Sequence, residues 1–384
     1  MHANDVTPER LRLLAGTRAQ RGRVLSLYLN LDPHEHDTPR ARSSAVGSLL
    51  SEARERVEAY VDADHDARQG LHDDLRRVEE LLAPDQIPGD GAHGLAIFAD
   101  GPDDLLEVLR LPRPVASQVI VDQTPHVEPL TAFEDETRWC VALVNRSLAR
   151  FMVGSPDALA EVGSFDNDTH GAHDQGGWSQ GRWERAVEED VAVHLDRVAQ
   201  ALALSARRRR YDRLLLATPQ DQRSRVEAAL PAQVRRRLAG HLTLDVSDVT
   251  PEQVREVVRD WVERGRGEYA RERLARFAEL RAQDTRASDG LDEVLVALVE
   301  RRVETLLLHE GFARPGLRDP DTEWLGIEGQ RPPTDGRIER HADITEWAIA
   351  LALEQDAEVL VVDPFDHEEL RGEDGIGAIL RFDR

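Results

Sequence analysis

Lysine is absent from this sequence. All 49 basic side chains are arginine, and they face 73 aspartates and glutamates, for a formal net charge of −24. Such an acidic excess keeps a surface hydrated in brine and fits a high-GC, salt-adapted origin. Taken over the whole chain it argues against a nucleic-acid partner. Cysteine is nearly absent too: Cys140 alone excludes internal disulfides and zinc ribbons. Within "WCVALV" it reads as a small hydrophobe on a buried strand. No run approaches the ~18 apolar residues of a membrane span. The start "MHANDVTPERLRLLAG" lacks the apolar stretch of a signal peptide. A cytoplasmic protein with no membrane partner is expected.

Cofactor signatures are missing as well. No strand with G-x-G-x-x-G spacing leads into a helix, and no Lys-Ser/Thr pair closes a P-loop. His170 and His173 have H-x-x-H spacing near Asp166, Asp168 and Asp174. They sit among glycines without a third neutral ligand and read as a solvated loop. Ser179 lacks the strand-turn-helix setting of a nucleophile elbow. Neither a metal nor a cofactor is expected.

What is present is length and charge asymmetry. The 384 residues allow two or three domains. Acids outnumber arginines 25 to 14 over residues 1–135 and 24 to 11 over 286–384, yet residues 136–285 hold 24 of each. This neutral middle third contains two basic runs, Arg207-Arg208-Arg209-Arg210 and Arg235-Arg236-Arg237. Cations at helix C-termini account for such runs without a ligand; contact with phosphate is the alternative.

Hydropathy patterning gives an α/β fold throughout. "VLSLYLNL" (24–31), "HGLAIFAD" (93–100) and "SQVIVDQTP" (117–125) read as strands. The polar loop "HEHDTPRAR" leads into helices through about Ala59 and from Leu71 to Leu82. From residue 136 the pattern restarts. "RWCVALVNRSLARFMVGS" reads as two strands around a turn at Asn145-Arg146-Ser147, and a helix follows from about Trp183 to Ala206. "DRLLLATP" (212–219) and "LTLDVS" (242–247) read as strands. Thr250 as N-cap and Pro251 at the first helical position open a helix to about Ala282, long enough to link domains. Residues 286–384 repeat the rhythm, with helices over 291–301 and 342–354 and strands "VETLLLHE" (303–310), "AEVLVVD" (357–363) and "DGIGAILRF" (374–382). The connection from Gly311 to Arg340 is too long for a simple turn. Three domains are expected: 1–135, 136–285 and 286–384.

The segment "HDQGGWSQGRWERAVEED" (173–190) is the most informative. Two glycines permit close backbone approach to another molecule. An indole can stack on a base, and arginines can hold phosphates. The bland alternative is a surface loop whose tryptophan folds back on its own domain. The segment resembles the loop of the class I release factors of eukaryotes and archaea, a superfamily with Pelota and the Vms-type peptidyl-tRNA hydrolases. Their loop reads Gly-Gly-Gln-Ser, then arginines at fixed spacing, then a long helix. Here Gly176, Gly177, Ser179, Arg182 and Arg185 match, and Trp178 replaces the glutamine. "SLYLNLDP", "HGLAIFAD", "VEPLTAF", "VETLLLHE" and "DGIGAILRF" follow the family's order.

The resemblance implies three α/β domains in release-factor arrangement: a decoding-side domain, a middle domain reaching the peptidyl-transferase centre, and a last domain that docks a translational GTPase, such as elongation factor Tu, or the ribosomal stalk. It implies the ribosome as partner, through rRNA and P-site tRNA. The stop-codon reader's Asn-Ile-Lys-Ser signature is absent, with "TPRARSSAVGS" in that region, and the Tyr-x-Cys signature is missing. Tryptophan keeps the backbone N–H but replaces an amide that can orient water with a donor-only ring. The expectation is a factor that occupies the A site of idle or stalled ribosomes, similar to Balon-type hibernation factors. Gly176, Gly177, Trp178, Ser179, Arg182, Arg185 and the two basic runs would contact RNA. The runner-up is a rescue peptidyl-tRNA hydrolase acting through Gly176, Gly177, Ser179 and the Trp178 backbone; a protein-interaction module without RNA is the third.

Overall fold

The computed structural model describes residues 5–60, 65–83, 92–133, 137–166, 180–330, 337–363, 370 and 375–383. Two compact units emerge: residues 136–266, and residues 1–135 together with 267–384.

The amino-terminal part of the discontinuous unit begins with helix α1 (Pro8–Gly16), strand β1 (Val24–Asn30) and helices α2 (Pro39–Ala59) and α3 (His65–Leu81). Strands β2 (Gly94–Asp100), β3 (Leu105–Leu111) and β4 (Gln118–Asp122) complete an antiparallel sheet of order β3-β2-β1-β4. Successive side chains of a strand face opposite sides. Leu25, Leu27 and Leu29 of β1 accordingly pack with Leu49, Val57, Leu71 and Val78 of α2 and α3. Val24 and Tyr28 enter a different core on the other face. The polar loop read over residues 34–42 is shorter than expected. Thr38 Oγ1 accepts from Ala41 N at 3.1 Å, and Pro39 takes the first helical position, so α2 starts inside it.

The middle unit holds β5 (Trp139–Val144), β6 (Leu148–Gly154), β7 (Ala160–Asp166), α4 (Gln180–Arg207), β8 (Arg213–Ala217), α5 (Arg223–Ala229), α6 (Ala232–Arg235) and β9 (Leu238–Leu242). The first sixteen residues of α7 (Pro251–Ala282) also belong to it. Sheet order is β7-β6-β5-β8-β9, with β8 parallel to both its neighbours. Asn145 Oδ1 accepts from Ser147 N and Leu148 N, closing the β5–β6 turn where the sequence placed it. Cys140, Ala142 and Val144 face α4, while Trp139, Val141 and Leu143 face α7. Cys140 is buried, and burial pushes its thiol up to about 12. The strand expected over 242–247 ends at Leu242. Asp245 Oδ1 accepts from Ser247 N at 3.0 Å, a local turn that competes with the ladder.

The carboxy-terminal part contributes β10 (Ala287–Asp289), α8 (Leu291–Val299), β11 (Val303–His309), β12 (Gly316–Asp319), β13 (Trp324–Gly326), β14 (Glu339–His341), α9 (Thr345–Glu354), β15 (Glu358–Val362) and β16 (Ile376–Leu380). Its main sheet has order β10-β16-β11-β15. The long connection after Gly311 folds into a small sheet of its own, β13-β12-β14. α8 and α9 share one apolar core with α1, Tyr28 and Phe98 of the amino-terminal part. Trp347 of α9 is clasped there, with the Arg18 and Arg318 guanidinium carbons 4.1 and 4.0 Å from its ring centre. Burial and the neighbouring Arg318 pull the Arg18 pKa down to about 10.

Candidate functional site

The 28 residues of α4 follow directly on the glycine-rich segment, and they set the site's scale. At 1.5 Å per residue the helix is about 42 Å long. Val191, Leu195, Val198, Leu202 and Ala206 recur at helical spacing and bury one stripe against the sheet. His194, on the same helix, is fully buried with its ring edge-on to Phe165 at 5.6 Å, and burial lowers its pKa.

At the start of the helix, Gly176, Gly177, Trp178 and Ser179 lie outside the described residues, as do His170 and His173. Arg182 falls in the first turn of α4 by its backbone, and Arg185 in the second, exposed. By its backbone position Arg182 stands in the turn where the dipole favours anions, whereas Arg185 lies beyond the first turn, where that effect has fallen off.

The far end of α4 is built differently. Arg209 N donates to Ala206 O and Arg210 N to Ser205 O, both at 3.1 Å, and Arg209 has φ 50°. This double closure normally uses glycine in the left-handed position. A side chain there costs roughly 1 kcal/mol. Arg207, Arg208, Arg209 and Arg210 are all exposed.

The second run joins the first through the sheet. Parallel pairing sets Leu214 opposite Leu238, and Leu214 N donates to Arg237 O at 2.8 Å. The Arg237 guanidinium lies 5.3 Å from the Tyr211 ring centre and donates to Tyr211 O. Arg235 caps α5, donating to Leu230 O at 3.0 Å, so its helix-end role holds in part. Arg235 and Arg236 are exposed, and so is Arg213 at the start of β8, which sequence reasoning left inside a strand without a role.

Other arginines of this unit are neutralised by acids. Arg138 pairs with Asp212 at 3.6 Å, Arg146 with Asp221 at 3.3 Å, Arg150 with Glu161 at 2.8 Å and Arg225 with Glu188 at 2.9 Å. Among the described residues, none of Arg207 through Arg210, Arg213 or Arg235 through Arg237 forms an ion pair.

Residues 125–266 match the family model for bacterial archaeo-eukaryotic release factor family 10. That match covers the middle unit and the residues just before it, and not the rest of the chain. The matched segment includes the glycine-rich stretch, α4 and both basic runs. Across the whole chain, similar solved structures include an archaeal translation termination factor at 18% identity, with 98% of this chain and 99% of that one covered and a TM-score of 0.26. Pelota of Archaeoglobus fulgidus aligns at 16% identity over 75% of this chain and 80% of its own, with a TM-score of 0.36. A ribosome-bound archaeal Pelota gives 14% identity, coverage of 100% and 96%, and a TM-score of 0.41. A search of curated proteins finds no match. Among the described residues no helix is long and apolar enough to cross a membrane, and no group of three His, Cys, Asp or Glu is placed to hold a metal ion.

Proposed function

We propose that this release-factor-like protein binds the ribosome and occupies the A site of idle or stalled ribosomes without reading stop codons. The match over residues 125–266 carries the reading, because it covers the loop that active release factors insert at the peptidyl-transferase centre. Gly176 and Gly177 let that loop approach RNA closely, Trp178 stacks on or wedges against a base, and Arg182 and Arg185 hold phosphates. Without the water-orienting glutamine the loop parks rather than cleaves. The last third is assigned the docking of a translational GTPase.

Co-sedimentation with ribosomes, with peptidyl-tRNA hydrolysis measured on them, tests this reading. Trp178→Ala is expected to weaken ribosome binding by the loss of one stacking contact, on the order of 1–3 kcal/mol. Trp178→Gln is expected to raise hydrolysis. A wild type that already hydrolyses peptidyl-tRNA would make the protein a rescue hydrolase. An inert glutamine variant together with an alanine variant of unchanged affinity would remove the loop from the ribosome altogether.

A further inference from the structure

We infer that the middle unit carries a second nucleic-acid contact: a crest of arginines at the carboxy-terminal end of α4 that grips the sugar-phosphate backbone of an RNA helix. The choice of RNA rests on the ribosome reading above. The crest itself rests on geometry.

Arg207, Arg208, Arg209 and Arg210 close α4, Arg213 opens β8, and Arg235, Arg236 and Arg237 lead into β9. The runs lie some 25 positions apart in sequence, but pairing of β8 with β9 brings them to one end of the sheet. Eight guanidinium groups so placed repel one another. In a chain of 73 carboxylates, selection had acids at hand to neutralise them, as it did for Arg138, Arg146, Arg150 and Arg225. Asp212 sits within the crest, yet it pairs with Arg138. Unbalanced charge of this density on an otherwise acidic protein is matched by an anion from outside.

Two details narrow the occupant. Base stacking needs an exposed ring, and Tyr211, the aromatic residue within the crest, is fully buried with its hydroxyl donating to Leu202 O at 3.1 Å. That leaves phosphate contact, which suits a duplex backbone read by shape. Arg209 adds a separate sign. Glycine would relieve its left-handed backbone, so the side chain is retained at a cost in stability.

The test uses the full chain and a blunt RNA duplex of about 16 base pairs, with affinity followed between about 50 and 200 mM salt. Arg208→Gln with Arg236→Gln is expected to lower the log–log salt slope by about two units. The loss of affinity across that salt range then shrinks roughly tenfold. Arg209→Gly is expected to raise the thermal midpoint while weakening duplex binding. Arg146→Gln with Arg225→Gln, at arginines paired with Asp221 and Glu188 outside the crest, is expected to leave the slope unchanged. Equal salt slopes in the crest variants and the wild type would overturn the proposal. So would poly-glutamate binding as tightly as the duplex and depending on the same arginines, since the occupant would then be an acidic protein surface. If ribosome binding needs Trp178 while duplex binding ignores the crest, the crest falls and the A-site reading stands. If the duplex binds through the crest but the protein never sediments with ribosomes, the crest stands and the A-site reading falls.

Discussion

Glu346 is an acid in the first turn of a helix whose other side chains are almost all apolar, and it is 6% exposed. Its carboxylate is fully occupied. Oε2 accepts from Val127 N at 3.0 Å, Oε1 accepts from Glu128 N at 3.3 Å, and His126 Nδ1 lies 2.5 Å from Oε1. Burial works against an imidazolium at His126, but Glu346, with Glu128 behind it, outweighs burial and raises the pKa above 6.5. A raised folded-state pKa contributes stability that is complete below the unfolded value and is lost as pH rises through the folded one. Glu346→Gln is therefore expected to lose about 3 kcal/mol near pH 6, the cost of breaking a buried pair. The gap to wild type should narrow as the pH is taken towards about 9. Denaturant titrations of both proteins across that range give the answer, and a gap independent of pH would mean that His126 does not change charge within it. Sequence patterning could not assign this pair. An acid on an apolar face is a visible anomaly, but its partner lies 220 positions away.

At the scale of elements, α7 shows what short-range signals deliver. Thr250 Oγ1 accepts from Gln253 N at 3.3 Å, and Gln253 Oε1 accepts from Thr250 N at 2.9 Å. This reciprocal box, with Pro251 at the first helical position, starts the helix where the sequence placed it. Thr250→Ala is expected to cost about 1 kcal/mol, read as a lower midpoint in chemical denaturation. An unchanged midpoint would leave Pro251 and the packing of Val254 and Val258 as the helix's determinants. β1, β5, β6 and α4 were legible for related reasons, since each carries an apolar period long enough to stand above its surroundings. β7 was not, because its pattern is exposed at six of seven positions and offers no alternation to read. α5 and α6, at seven and four residues, are too short to show a helical period. The basic runs were visible as charge. Their convergence was not, because it depends on parallel pairing between β8 and β9, and Arg213 went unnoticed for the same reason.

Across the whole molecule, the ends of the chain depend on each other. The sheet β3-β2-β1-β4 is buried on both faces, with α2 and α3 supplying one cover from nearby in sequence. The other cover comes from α1 and from α8 and α9, the last two more than 150 residues downstream. Leu11, Tyr28, Phe98 and Leu109 share that core with Leu295, Leu306, Ile349 and Leu353. Arg18 joins it from the amino-terminal side by stacking on Trp347. Residues 1–135 alone would expose the Val24, Tyr28 and Phe98 face, and contiguous apolar surface of that kind drives association. Expressed as separate chains in one cell, residues 1–135 and 267–384 are expected to co-purify as a stoichiometric pair, whereas 1–135 alone should aggregate. Trp347→Ala in the 267–384 piece should weaken the pair by about 3–5 kcal/mol, combining a large cavity with the loss of both guanidinium contacts. Recovery of 1–135 alone as a cooperatively folding monomer would show that α2 and α3 suffice, and that the core shared with α9 is dispensable.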